Sequence, residues 1–335
     1  TTSAPYSSGG NNTAVGANAL AGFTTGQLNT AIGKDAGKAI TTANYNVFVG
    51  SWAGDAVTAG GYNVAIGHQS FSDATSDSNH TIAIGYQAGK AITSGDGNIM
   101  IGASAGSVTT DVDKAVIIGQ NAGQANMTAD ADGTIAIGYQ AGKSITSGQK
   151  NTIIGYNAGD ALQTGDSATI IGYEAGTALT TSGEQGTTLI GKDAGKALTT
   201  GPYNTAIGRA ALKTATTTNS CIAIGDSAMQ YTPASTAVIG VIGIGGSALG
   251  DATGLDTTAN YSIAMGNGAG NNAGNLAGEF VIIGNYAGLK LNGTGVTHIG
   301  YQAGTFASGS GNTFVGTEAG YSGTTSAPFS TGTNN

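Results

Sequence analysis

Asn29-Thr30-Ala31-Ile32-Gly33, Asn46-Val47-Phe48-Val49-Gly50 and Asn63-Val64-Ala65-Ile66-Gly67 are three consecutive copies of one short apolar strand closed by glycine, and their spacing of 17 residues decides the fold. Outward from them the closing glycine recurs at 16, 33, 50, 67, 85, 102, 119, 138, 155, 172, 191, 208, 225, 245, 266, 284, 300 and 316. That makes eighteen copies, most of them 17 to 19 residues apart. A unit this short cannot bury an apolar face alone and must stack on its neighbours, which is the behaviour of a solenoid or fibre. The expected fold is an all-β parallel β-solenoid of about eighteen repeats. With no composition break to mark a boundary, residues 1–335 read as one continuous repeat domain.

Composition narrows the function classes. Glycine is abundant, at 59 residues, but it has no three-residue period and there are only 4 prolines, so collagen is excluded. Charged residues make up 9% and the net charge is −8, without basic clusters, which argues against nucleic-acid binding. No apolar run reaches membrane-spanning length. The single cysteine, Cys221, sits in a strand slot and reads as a small buried residue.

Within the repeat, the residue before the closing glycine is Ile32, Val49, Ile66, Ile84, Ile101, Ile118, Ile137, Ile154, Ile171, Ile190, Ile207 and Ile224. Strand side chains alternate, so this position and the one two residues earlier share a face, and both are read as the core and assembly face. The residue between them, such as Ala31, Phe48, Met100, Ile117 or Ile153, is then expected outside. Because it is also apolar, a second covering layer is expected, from the same chain or from neighbouring copies. The Ala-Gly pair, as in Ala36-Gly37 and Ala194-Gly195, reads as a tight corner. A second short strand is expected at Lys38-Ala39-Ile40-Thr41 and Lys196-Ala197-Leu198-Thr199, before a Thr-Thr-Gly type of turn. The asparagines at the strand start, including Asn29, Asn46, Asn63, Asn98 and Asn204, are placed to form an amide ladder from coil to coil.

Two longer periods overlie the first. The variant Gly-(Lys/Tyr)-(Asp/Gln)-Ala-Gly-Lys begins at Gly33, Gly85, Gly138 and Gly191, and longer loops fall at 72–79, 124–133 and 181–186, so the units group in threes. Either each repeat is one coil, giving a stack of roughly 85 Å, or three repeats make one triangular turn, giving roughly 29 Å, at a strand spacing of ~4.8 Å. The chain also starts Thr1-Thr2-Ser3-Ala4-Pro5-Tyr6 and finishes with the matching segment Thr324-Thr325-Ser326-Ala327-Pro328-Phe329, an offset of 323 residues. The expectation is one 323-residue super-repeat plus the start of the next, in a longitudinally continuous object whose contacts repeat head to tail.

The Asn-x-Ala-Ile-Gly strands with their small-residue turns resemble the head repeats of trimeric autotransporter adhesins, and similar repeats occur in phage tail fibres. The resemblance covers nearly the whole chain and implies a parallel β-roll, three chains around one axis and a surface that binds host matrix or receptors. The grouping in threes and the lack of a coiled-coil stalk or anchor depart from that pattern. Together these features point to a structural segment of an extracellular or cell- or virion-surface filament, assembled from copies of itself head to tail and laterally, with glycans or a host surface as further ligands. The alternatives are a receptor-binding adhesin head, a tail-fibre shaft or an ice-binding solenoid.

No enzyme is expected. His68, His80 and His298 are scattered, and no nucleophile or carboxylate stands at a diagnostic spacing from them. No cofactor or metal is expected either: Asp111, Asp113, Asp130 and Asp132 read as solvated loop acids rather than a calcium loop. Tyr86, Tyr139, Tyr156, Tyr173 and Tyr301, taken with Trp52, form a candidate surface ladder beside the closing glycines, readable either as a stacking row or as a binding row. The pairs Thr24-Thr25, Thr41-Thr42, Thr180-Thr181 and Thr199-Thr200 read as turn chemistry in preference to an ice-binding face.

Overall fold

A computed structural model describes residues 9–74, 78–181, 186–232, 238–251, 255, 259–274, 276 and 278–322. The matching end segments at 1–6 and 324–329 lie outside the described residues, as do parts of the loops at 72–79 and 181–186. The chain divides into two compact units, Thr1–Ser167 and Ala168–Asn335, and among the described residues each carries nine strands of three residues. In the first unit these are β1 (Thr13–Val15), β2 (Thr30–Ile32), β3 (Val47–Val49), β4 (Val64–Ile66), β5 (Ile82–Ile84), β6 (Ile99–Ile101), β7 (Val116–Ile118), β8 (Ile135–Ile137) and β9 (Thr152–Ile154). In the second they are β10 (Thr169–Ile171), β11 (Thr188–Ile190), β12 (Thr205–Ile207), β13 (Ile222–Ile224), β14 (Ile242–Ile244), β15 (Ile263–Met265), β16 (Val281–Ile283), β17 (Thr297–Ile299) and β18 (Thr313–Val315).

Within each unit every strand pairs in parallel with the next. In the first, Thr30 faces Val47, Val47 faces Val64 and Val64 faces Ile82. In the second, Thr188 faces Thr205 and Thr205 faces Ile222. Each repeat is therefore one coil of a parallel β-solenoid, and the triangular alternative is excluded. The grouping in threes reflects loop length: the first unit accommodates 124–133 with a 3₁₀ turn at Ala129–Ala131.

The closing glycines explain why the strand stops at three residues. Gly85 has φ +134°, and a Cβ there would stand 2.6 Å from the carbonyl oxygen of Gly102 in the next coil. Only glycine tolerates both the dihedral and the contact. Past it, Asp35 and Gly37 both adopt left-handed φ, and i to i+3 bonds such as Lys38 N–H to Asp35 O and Ile40 N–H to Gly37 O wind the chain into turns. The second strand expected at 38–41 and 196–199 is therefore a tight turn. It still donates to the next coil, through Ala39 N–H to Asp55 O and Thr41 N–H to Thr58 O.

The inward face is the opposite of the sequence expectation. In β2 through β17 the middle residue of the strand is buried and its two neighbours are not. Ala31, Phe48, Met100, Ile117 and Ile153 are core. Ile32, Ile66 and Ile207 are exposed, and Val49, Ile84, Ile101, Ile118, Ile137, Ile154, Ile171, Ile190 and Ile224 are half-buried on the outer face. The physical reason is parity. Asn29 is buried and bonded inside the coil, so with a period of two Ala31 must share its side while Thr30 and Ile32 point out. The rest of the core comes from the Ala of each Ala-Gly corner, such as Ala36, Ala53 and Ala194, and from the following Ile40, Ile145 or Leu198.

Volume inside the coil is shared between the middle strand position and the corner. A Cβ at Gly54 would meet the Phe48 ring at 2.7 Å, and one at Gly106 would meet Met100 Sδ at 2.5 Å. Where the corner carries Phe71, Leu212, Met229 or Leu249, the strand of the same coil carries Ala65, Ala206, Ala223 or Gly243. Large residues thus take one slot or the other, as close packing in a narrow interior requires.

Candidate assembly surface

The amide ladder is present. Asn46 accepts the Asn63 N–H at 2.9 Å and donates its amide to Gly60 O at 3.0 Å, and its own N–H goes to Asn29 Oδ1 at 3.0 Å. In the second unit Asn204 donates to Thr218 O at 2.7 Å and accepts the Cys221 N–H at 3.0 Å. Each amide thereby ties its own coil to the next in the interior, where an unmade bond is expensive. Cys221 is buried, and burial pushes its thiol pKa up.

Hydroxyls and carboxylates repeat the device at the turns. Thr24 Oγ1 donates to Thr41 O at 2.9 Å and Thr41 Oγ1 to Thr58 O at 3.1 Å; Thr180 and Thr199 do the same in the second unit. Those Thr side chains are engaged in coil-to-coil bonding, in keeping with turn chemistry. Among the loop acids, Asp113 accepts the Asp96 N–H at 2.7 Å, Asp132 accepts the Asp113 N–H at 2.7 Å, and Asp111 accepts from Ser94 Oγ at 2.9 Å. Among the described residues no group of three or more His, Cys, Asp or Glu gathers to hold a metal. The second unit also has a charge network: Lys196 bridges Glu174 and Asp193, and Lys213 reaches Asp193 at 3.5 Å. The hydrogen bond to Glu174 raises the Lys196 pKa, and the same bond lowers that of Glu174.

The outer face of the sheet is formed by the first and third residues of each strand. In β3 through β8 both are Val or Ile, from Val47 and Val49 to Ile135 and Ile137. In β13 through β16 both are again apolar. No Asp, Glu, Lys or Arg occupies either position in any of the eighteen strands. Ile32 and Ile66 keep 40% and 38% of their surface open. An uncharged face with an apolar stretch of this kind in each unit marks an interaction surface more often than a solvated one.

Aromatic rows flank that face. Tyr139 stacks on Tyr156 with centroids 5.0 Å apart, and Tyr86 stacks on His68 at 5.7 Å. Trp52, two residues after its glycine and so one position off the row, meets His68 edge-on at 5.1 Å and donates Nε1–H to Asp35 at 3.0 Å. That carboxylate also accepts from Asn18, and this hydrogen bond is the main influence lowering its pKa. Tyr173 has Lys192 Nζ 5.7 Å from its ring, and Tyr301 is half exposed. A stack that the sequence reading missed, Tyr45–Tyr62–His80, runs along the other flank with centroids at 4.8 and 5.1 Å. Its signal was an aromatic ring two residues before three successive strands. Stacked rings cover one another's faces, so Tyr45–Tyr62–His80, His68–Tyr86 and Tyr139–Tyr156 each pack ring on ring from one coil to the next.

Of the three histidines, His68 and His80 belong to these stacks. His298 occupies the middle of β17, fully buried, with neither ring nitrogen hydrogen-bonded, and burial lowers its pKa to about 4. It lies against Phe314 at 5.0 Å. Among the described residues no helix is long and apolar enough to cross a membrane. No family model, curated protein or solved structure matches the chain.

Proposed function

We propose that this chain is a structural segment of an extracellular filament, built by stacking β-solenoid coils head to tail and bundled laterally through its outer apolar rows. One observation carries the reading: within each unit, successive coils are joined by the same set of bonds, a strand ladder, an asparagine ladder and turn carbonyls. The surface that one coil offers to the next is the surface it would offer to a coil of another copy. The uncharged Val and Ile rows support lateral contact between copies, since two such faces can interdigitate without burying a charge. In this role the chain works without catalysis, cofactor, nucleic acid or membrane insertion, and any adhesion to glycans or a host surface is added to the structural task.

Electron microscopy of the purified chain, with fibre diffraction of oriented samples, tests the proposal. Filaments with a meridional spacing of ~4.8 Å are expected. Discrete particles that stay monomeric by light scattering at every concentration would refute it.

A further inference from the structure

The residue two before each strand forms a row along one flank of the sheet, held at left-handed φ in coil after coil: Tyr45 at +60°, Tyr62 at +62°, Lys150 at +57°, Tyr203 at +62° and Tyr261 at +62°. In the first unit Tyr45, Tyr62 and His80 stack and hide their ring faces. Tyr261 in the second unit is different. Its neighbours in the row are Gly240 on one side and Glu279 on the other. The ring rests against Gly240, where a Cβ would come within 2.8 Å, and it is 71% exposed. Past Glu279 the row reads Gly295, and a Cβ at Gly295 would have nothing within 4 Å.

Beside the ring lies a cleft of about 230 Å³, lined also by Glu279, Val281, Gly295 and Thr297. It is smaller than the roughly 300–1,000 Å³ that drug-sized ligands occupy, and so suits one small ring. An open aromatic ring, a carboxylate acceptor and a hydroxyl that both donates and accepts are the complement of a pyranose, which has an apolar C–H face and a rim of hydroxyls.

We propose that this cleft is a monosaccharide subsite, in which a pyranose unit of a polysaccharide or glycan packs on Tyr261 and hydrogen-bonds to Glu279 and Thr297. Val281 and Thr297 are also outer-face residues of β16 and β17, so the cleft borders the assembly rows at one edge of the sheet, and a single chain suffices to form it. A single ring held this way binds weakly, and copies displayed along a polymer would gain by multivalency.

The test is a glycan array carrying both microbial polysaccharides and animal-type glycans, probed with the labelled full chain and two variants. Tyr261→Ala removes the platform. Gly295→Asn fills the gap with a residue that the same row tolerates at Asn11, where φ is +61°. Gly97→Asn, at the same row position in the first unit, is the control, and thermal melts check that every variant is folded. The expected result is retention of at least one sugar by the full chain and by Gly97→Asn, with a loss of roughly tenfold or more in both Tyr261→Ala and Gly295→Asn. The class of glycan retained identifies the source. No sugar bound by the full chain, or binding retained by either cleft variant, overturns the proposal.

Discussion

Replacing His298 with phenylalanine should remove an acid-sensitive weak point from the second unit. The folded chain holds this imidazole fully buried with neither nitrogen bonded, so its pKa falls from 6.5 to about 4. In the unfolded chain the ring takes a proton below pH 6.5, while in the folded chain it does so only near 4. The unfolded state therefore binds more protons between these values, and stability is lost as pH falls from 6.5 towards 4 and then levels off. At ~1.36 kcal/mol for each tenfold change in proton affinity, the full loss is about 3 kcal/mol. Phenylalanine should fit, because Phe314 holds the paired position in the next coil. It also removes two unbonded buried nitrogens, so the variant should be more stable at neutral pH by about 1–3 kcal/mol. Urea denaturation followed by circular dichroism from pH 7.5 to 4, with hydrogen exchange read on peptides covering β16 to β18, measures both effects. Subtracting the variant from the parent isolates this group from the carboxylates. Equal pH dependence in the two proteins, or an imidazole titrating near 6.5 by NMR, would refute the reasoning.

Three further outcomes check the packing. Ile153→Asp places an unpaired carboxylate in the core and should destabilise the first unit by several kcal/mol, whereas Ile154→Asp on the outer face should cost about 1 kcal/mol or less while weakening lateral association, as read by urea melts and light scattering. Equal destabilisation by the two would mean that the faces are assigned wrongly. Asn46→Ala should cost about 3 kcal/mol, because it strands the Asn63 N–H and the Gly60 carbonyl, and the loss should appear as faster exchange of the Asn63 amide. Gly54→Leu alone should clash with Phe48, and Phe48→Ala alone should leave a cavity. Together they recreate the Ala206 and Leu212 arrangement, so a double-mutant cycle should show favourable coupling of about 1–2 kcal/mol; additive losses would speak against the shared-volume rule.

Much of the candidate surface could be read in the sequence, but with the faces exchanged. The tyrosines at 139 and 156 do stack, and the amide ladder is where the strand-start asparagines place it. The expectation went astray in putting Ile32 inside without weighing Asn29: the two are three residues apart in a strand and so lie on opposite sides, and it is Asn29 that is buried. The Tyr45–Tyr62–His80 stack escaped notice because its rings sit outside the strand motif. The second strand at 38–41 failed because left-handed residues at 35 and 37 wind the chain before it can extend.

What the sequence by itself determined is the solenoid. A 17-residue period of short β-branched strands closed by glycine permits little besides parallel stacking in register, since no unit can bury its apolar residues alone. Which side of the strand faces in, and whether a turn takes one repeat or three, only the tertiary structure decided. Alternation is satisfied equally by either face when both are apolar. The choice rests on closing the coil around a dry interior just wide enough for one amide ladder, one large side chain shared between the strand middle and the corner, and the Ile, Leu or Val that follows, a constraint that exists only once the coils are stacked.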